Sequence, residues 1–227
     1  MEAFAHIAID GPAGSGKTTV AHELARRLGF LYLDTGAMYR AVALLALRNA
    51  VDPSDEAAVL RLAREHPVRV VVDAAAQRGF RVFAGAEPLG DELYSNDVSR
   101  IVSIVAAYPG IRALMVERQR AIAAEGPVIM AGRDIGTVVL PGAPVKIFLT
   151  ASVDERVERR LVELAERGTQ VSRPALRAEI EERDRLDRTR AVAPLRPAPD
   201  AVEIDSSGAT VDEVVSRVAE IVRRVAR

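Results

Sequence analysis

The chain has 227 residues, 49% of them hydrophobic and 28% charged, with a formal net charge of −1 and no cysteine. That composition supplies one sizeable core and lacks the basic excess of proteins that hold long nucleic acid, so no nucleic acid polymer is expected as a partner. The missing cysteines exclude a disulfide framework, a thiolate metal site and a cysteine nucleophile.

The opening residues MEAFAHIAID have neither a basic start nor a long apolar run, and no stretch approaches the ~20 apolar residues of a membrane helix. The expectation is a cytoplasmic protein, without a membrane partner, and a monomer. Only Lys17 and Lys146 among the 31 basic residues are lysines. A GC-rich coding bias explains the general excess of arginine. A lysine kept in such a sequence still raises the question of why arginine would not serve.

Residues 5–10 (AHIAID) predict a buried strand running into the glycine turn GPAGSGKTT. Val20, Leu24 and Leu28, at four-residue spacing, predict a helix that Gly29 stops. FLYLD predicts a second buried strand, the segment from Ala37 to Asn49 a helix, and DPSDE a turn and cap before another helix near 55–65. VRVVVDAAAQRGFRVFAGAEPLG has β-rich runs between polar and glycine turns, an antiparallel hairpin with room for a third strand. Helices at 96–107 and 110–125 are split by Pro109-Gly110. VIMAGRD and VKIFLTA predict two more buried strands, followed by helices at about 153–167 and 173–190. AVEIDSS predicts a last short strand, and 210–226 a closing amphipathic helix. Five short apolar strands alternating with helices imply a parallel sheet covered on both faces. Right-handed crossovers then bring the strand C-termini, and the loops that leave them, to one edge.

The polar motifs sit just after these strands. Gly11-x-x-x-x-Gly16-Lys17-Thr18 satisfies the phosphate-loop pattern, with a strand before it and a helix after. Glycines 11, 14 and 16 let backbone N–H groups turn inward around a phosphate, and the following helix adds its N-terminal dipole. Lys17 is a compact charge suited to bridging the β- and γ-phosphates, and Thr18 offers a hydroxyl to the Mg2+ that accompanies a nucleoside triphosphate. The whole loop, Gly11, Pro12, Ala13, Gly14, Ser15, Gly16, Lys17, Thr18 and Thr19, is thus the expected triphosphate site. A GTPase would add an Asn-Lys-x-Asp guanine reader, and neither lysine here follows an asparagine.

Asp34-Thr35-Gly36-Ala37-Met38-Tyr39-Arg40 opens a helix with an arginine one turn in, suited to a second anion; Thr35 as an ordinary N-cap is the plainer reading. Gly132-Arg133-Asp134-Ile135-Gly136-Thr137 places a charged pair at the ligand edge, or simply a surface ion pair on a turn. In Glu182-Arg183-Asp184-Arg185-Leu186-Asp187-Arg188-Thr189-Arg190, the residues Arg183, Asp187 and Arg190 share one helical face, while Asp184 and Arg188 form an i,i+4 pair. By itself that run also reads as a solvated face.

Taken together, GPAGSGKTT, DTGAMYR, GRDIGTVVLP, APVKIFLTAS and ERDRLDRTRAVAPL closely resemble the bacterial cytidylate kinases of the P-loop nucleoside monophosphate kinase fold, from about residue 5 to 220. The resemblance implies an α/β fold: a five-stranded parallel sheet flanked by helices, an antiparallel β insert in the monophosphate lobe, and a short helical lid. It divides the chain into a core (about 1–60, 105–150 and 191–227), an insert (about 61–104) and a lid region (about 151–190). It implies ATP and CMP or dCMP as substrates. Arg40, Arg133 and Arg190 are then the arginines on the acceptor phosphate, Lys17, Arg133 and Arg190 the catalytic cations. Ser103, Arg112 and Asp134 are the readers of cytosine, and Arg183 and Asp187 contacts to the ribose side. Thr35 stands where relatives carry serine and keeps the hydroxyl on the CMP side. Arg156, Arg159 and Arg160 are the lid arginines. A different monophosphate, or a shikimate- or gluconate-type acceptor, is the alternative substrate. Without ligand, Lys17, Asp187 and Arg190 are expected to be solvated.

Overall fold

The computed structural model describes residues 6–73, 76, 78–166 and 168–225. Strands β1 (His6–Asp10), β2 (Leu31–Asp34), β6 (Val128–Gly132), β7 (Val145–Thr150) and β8 (Val202–Asp205) form a five-stranded sheet in the order β2-β6-β1-β7-β8. Every pairing in it is parallel. Both faces are covered by helices, which is why the central strands are continuous apolar runs: all five residues of β6 are buried. The helices are α1 (Lys17–Leu28), α2 (Thr35–Arg48), α3 (Glu56–Glu65), α4 (Asn96–Val105), α5 (Pro109–Ala124), α6 (Val153–Glu166), α7 (Arg173–Thr189) and α8 (Val211–Val225); α6 and α7 pack on each other through Val157, Leu164, Leu176 and Ile180.

The insert runs β3 (Val68–Val72), β4 (Phe80–Ala84), β5 (Glu87–Leu89) and forms a separate antiparallel sheet. Phe80, Val82 and Ala84 of β4 are buried while Arg81 is exposed, the period-two pattern of a sheet with one face on the core. The third strand is therefore present, and the chain adopts the expected P-loop nucleoside monophosphate kinase fold. No single helix among the described residues is long and apolar enough to cross a membrane.

Two local readings need correction, and one turn was not foreseen. Pro109-Gly110 does not lie between two helices; it opens α5, because the proline's missing N–H is harmless in a first helical turn. Thr35 is not the N-cap of α2. Asp34 caps it, accepting from Gly36 N at 3.0 Å, and Thr35 donates its hydroxyl to the Ala131 carbonyl at 2.9 Å. After β6 the chain makes a wide π-helical turn over Ile135–Val139, in which Val139 N reaches Asp134 O and Leu140 N reaches Ile135 O. No sequence signal marked that turn.

Candidate functional site

Parallel pairing puts the ends of β1, β2 and β6 side by side: Asp10 is level with Gly132, and Asp34 with Ala131. The three loops that follow therefore open onto one cavity of about 550 Å³, closed on its far side by residues of α6 and α7.

At one end lies the glycine turn. Gly11 has φ 150°, and a Cβ there would run into the Leu149 carbonyl, so only glycine fits. Gly16 caps α1 in a left-handed conformation with no side chain on the helix's first N–H groups, which leaves those donors to a ligand. Lys17 is not solvated as expected. It is 7% exposed and folds back to donate to the Pro12 carbonyl at 2.5 Å and Ser15 Oγ at 3.3 Å. Burial and the nearby Arg133 cation hold its pKa well below the usual lysine value. Thr18 is half-buried on the cavity wall and Thr19 is exposed.

At the other end guanidinium groups crowd together. Arg40, Arg133, Arg160, Arg183 and Arg190 all line the cavity. Burial, then repulsion from Arg133 and Arg40, brings Arg183 down to about 9, and burial followed by Arg112 lowers Arg190. Arg183 Nε and Arg190 Nη2 are buried without a hydrogen-bond partner among the described residues. Arg40 donates to the Leu93 carbonyl and to Ser99 Oγ at 3.0 Å, with Tyr94 under its guanidinium. Buried donors without a partner, beside arginines whose charge burial opposes, fit a site that takes an anion.

Asp134 and Asp187 each hold an arginine. Arg133 donates to Asp187 Oδ2 at 2.8 Å, and Arg112 to Asp134 Oδ2, both side chains almost fully buried. Arg190 lies 3.7 Å from the other Asp134 oxygen. Arg183, Asp187 and Arg190 do share one cavity, but Asp187 is 5% exposed and the Arg190 side chain is buried, against the expected solvent-filled cleft. Arg190 is also not helical: it ends α7 with an extended backbone and donates to Ala193 O. Asp184 does not pair with Arg188. It turns inward and takes two hydrogen bonds from Arg156, at 2.9 and 2.6 Å.

Arg156 is buried and also donates to the Ala13 carbonyl of the glycine turn. Arg159 bridges Glu155 and Ser206, and Arg160 pairs with Glu163 at 2.7 Å. Ser103 lines the cavity beside Arg112. His6, His22 and His66 do not. Residue reasoning missed Asp10, Tyr39, Tyr94 and Arg78. Tyr39 and Tyr94 lie on the wall, Arg78 lies over the Tyr94 ring at 3.8 Å, and Asp10 is buried behind the site. Tyr39 stands inside a quoted motif, whereas Arg78 carries no motif signal at all.

Among the described residues no three acidic or histidine side chains gather as a metal cage.

The sequence profile of the family described as Cytidylate kinase matches residues 7–224. The cytidylate kinase of Pelotomaculum thermopropionicum is 53% identical over 218 residues, 96% of either chain. That of Bacillus licheniformis is 46% identical over 227 residues, the full length of both. Among solved structures, an uncharacterized protein from Eubacterium ventriosum overlays with a TM-score of 0.52 at 12% identity, covering 96% of this chain and 98% of that one, a likeness of fold alone.

Proposed function

The chain belongs to the cytidylate kinase family, and from that premise we propose that it transfers the γ-phosphoryl group of ATP to CMP and dCMP, giving CDP and dCDP. One observation carries the reading to the site: a single cavity has a phosphate loop at one end and a cluster of arginines at the other, in which burial and then Arg133, Arg40 and Arg160 oppose the charge of Arg183. Two polyanions have to meet for phosphoryl transfer, and such a cavity relaxes when both are present.

On this reading Gly11–Thr19 cradle the ATP phosphates, and Lys17 leaves the Pro12 carbonyl for the β- and γ-oxygens. Thr18 contributes a hydroxyl to Mg2+, which when bound neutralises charge on those oxygens. Arg40, Arg133 and Arg190 hold the acceptor phosphate, and Arg183 and Asp187 face its ribose. Thr35 keeps lone pairs, not its proton, for the ligand. Arg112 and Asp134 lie side by side as donor and acceptor, matching the O2/N3 acceptors and N4 amino donor of cytosine, with Ser103 beside them. Uracil would set an oxygen against the Asp134 carboxylate. The segment 61–104 serves as acceptor lobe and 151–190 as lid, Arg156, Arg159 and Arg160 lying on the lid side of the phosphates.

The acceptor phosphate oxygen is already a competent nucleophile near neutral pH, so the site needs no strong general base. The cations align the two nucleotides and stabilise the charge that moves between them. Closure over the site keeps water from taking the phosphoryl group. The test is ADP release from ATP with CMP, dCMP, UMP, AMP, GMP, shikimate and gluconate in turn. CMP and dCMP should give the highest kcat/KM, and a higher value with any of the others would overturn the assignment.

A further inference from the structure

Asp10 ends β1, one residue before the glycine turn, and is 4% exposed. It does not line the cavity. Its carboxylate crosses to the neighbouring loop and accepts from Ile135 N at 2.8 Å and Gly136 N at 2.7 Å. These are the first two N–H groups of the π-helical turn whose N-cap is Asp134. An aspartate at an N-cap ordinarily takes such orphan donors with its own side chain. Asp134 does not: it makes no capping bond, and its carboxylate is turned to Arg112 and Arg190 instead.

We infer that Asp10 is a positioning residue for acceptor recognition, capping this turn in place of Asp134 so that the Asp134 carboxylate stays in the acceptor site. The inference rests on the reading of Asp134 as the cytosine acceptor. Two carboxylates compete for the same pair of N–H groups. With Asp10 in place, both donors are filled and Asp134 remains on Arg112. Without it, two buried N–H groups are left unpaired, and the carboxylate of Asp134, the N-cap residue of the same turn, is the acceptor expected to turn to them and so away from the base. The same residue adjoins the phosphate loop, so one side chain joins the donor and acceptor halves of the site. Burial of a carboxylate against two backbone donors also explains why β1 ends on an acid rather than another apolar residue.

The test compares Asp10→Asn, Asp134→Asn and the double variant by kcat/KM for CMP and for UMP, with KM for ATP alongside. Asparagine keeps one acceptor and sets an amide N–H against the second donor. The expected result for Asp10→Asn is a CMP:UMP preference narrowed by about tenfold or more, with KM for CMP raised more than KM for ATP. In the Asp134→Asn background the same substitution should leave the ratio where Asp134→Asn alone put it. An Asp10→Asn enzyme that is slower with CMP and UMP alike, at unchanged ratio, marks a merely structural residue and overturns the inference. So does a change in ratio that persists undiminished without the Asp134 carboxylate. If Asp134→Asn alone leaves the ratio unchanged, the reading of Asp134 has failed, and the inference with it. Should Asp10→Asn not fold, Asp10→Ser gives the same comparison.

Discussion

Arg133 donates from Nε to Asp187 Oδ2 at 2.8 Å, joining the turn after β6 to the last turn of α7 inside the cavity. Burial alone would raise the Asp187 pKa; Arg133 and Arg183 outweigh it and hold the carboxyl below the usual range. Asp187→Ala strands a guanidinium that the cavity has largely desolvated. The expected loss is about 1–3 kcal/mol, at roughly 2–4 °C in melting temperature per kcal/mol. The CMP:dCMP ratio should change as well, because only the sugar differs. Arg190→Ala should instead lower kcat/KM for both acceptors together, since the phosphate is common to them. Thermal melts and kinetics with both acceptors check this. An Asp187→Ala enzyme with the parent's melting temperature and ratio contradicts it.

Lys17 gives the opposite pattern. Its ammonium is desolvated and, among the described residues, donates to the Pro12 carbonyl and Ser15 Oγ rather than to a carboxylate, and burial is the main cause of its lowered pKa. Lys17→Ala removes that unfavourable charge, so the melting temperature should hold or rise. Turnover should fall by about 10²–10³, the loss of one contact to the migrating charge. Near-parent kcat would remove the glycine turn from the catalytic centre.

The bidentate Arg156–Asp184 pair joins α6 to α7, with side-chain exposures of 3% and 13%. Breaking such a pair from one side costs about 3–5 kcal/mol, because the remaining charge stays buried. Asp184→Ala should therefore shift a urea melt far more than Glu182→Ala, whose partner Arg185 is exposed. Equal shifts would show that α6 and α7 hold together without the pair.

These two buried ion pairs mark the limit of what the chain shows by itself. The glycine turn was legible because each residue type in it answers a local demand: glycine for a positive φ or a close approach, lysine and threonine for phosphate and metal. The strands were legible because burial on both faces leaves continuous apolar runs. Asp184 was misread because helical spacing offers Arg188 as a neighbour. Its actual partner lies 28 residues away, on a helix whose packing no periodicity reports. Lys17 was expected in solvent because its motif describes the ligand-bound contact, not where an unoccupied side chain rests. Asp10 was passed over because its partners are backbone N–H groups of a turn 125 residues on. Chain order hides what parallel pairing brings together.

Burial pushes the Asp10 carboxyl up to about 6, partly offset by the Gly136 and Ile135 N–H groups. In the unfolded chain the group titrates near its ordinary 3.8. Between those values the folded protein keeps a proton that the unfolded chain has released. The contribution of Asp10 to stability therefore falls as pH rises from about 4 to about 6, by ~3 kcal/mol in total, and is flat outside that window. Melts of the parent and of Asp10→Asn from pH 4 to 8 should show their stability difference declining through that range. A constant difference would mean that the carboxyl is not perturbed.

The most direct measurement of the central claim follows the phosphorus atom. ATP labelled at the γ-phosphate is incubated with the protein, Mg2+ and CMP, and the products are separated. The label should be found in the β-phosphate of CDP, with equimolar ADP formed and little inorganic phosphate, because the proposed closure over both nucleotides presents the acceptor and excludes water. Label that ends in inorganic phosphate, or stays in ATP while CMP is untouched, would contradict the account.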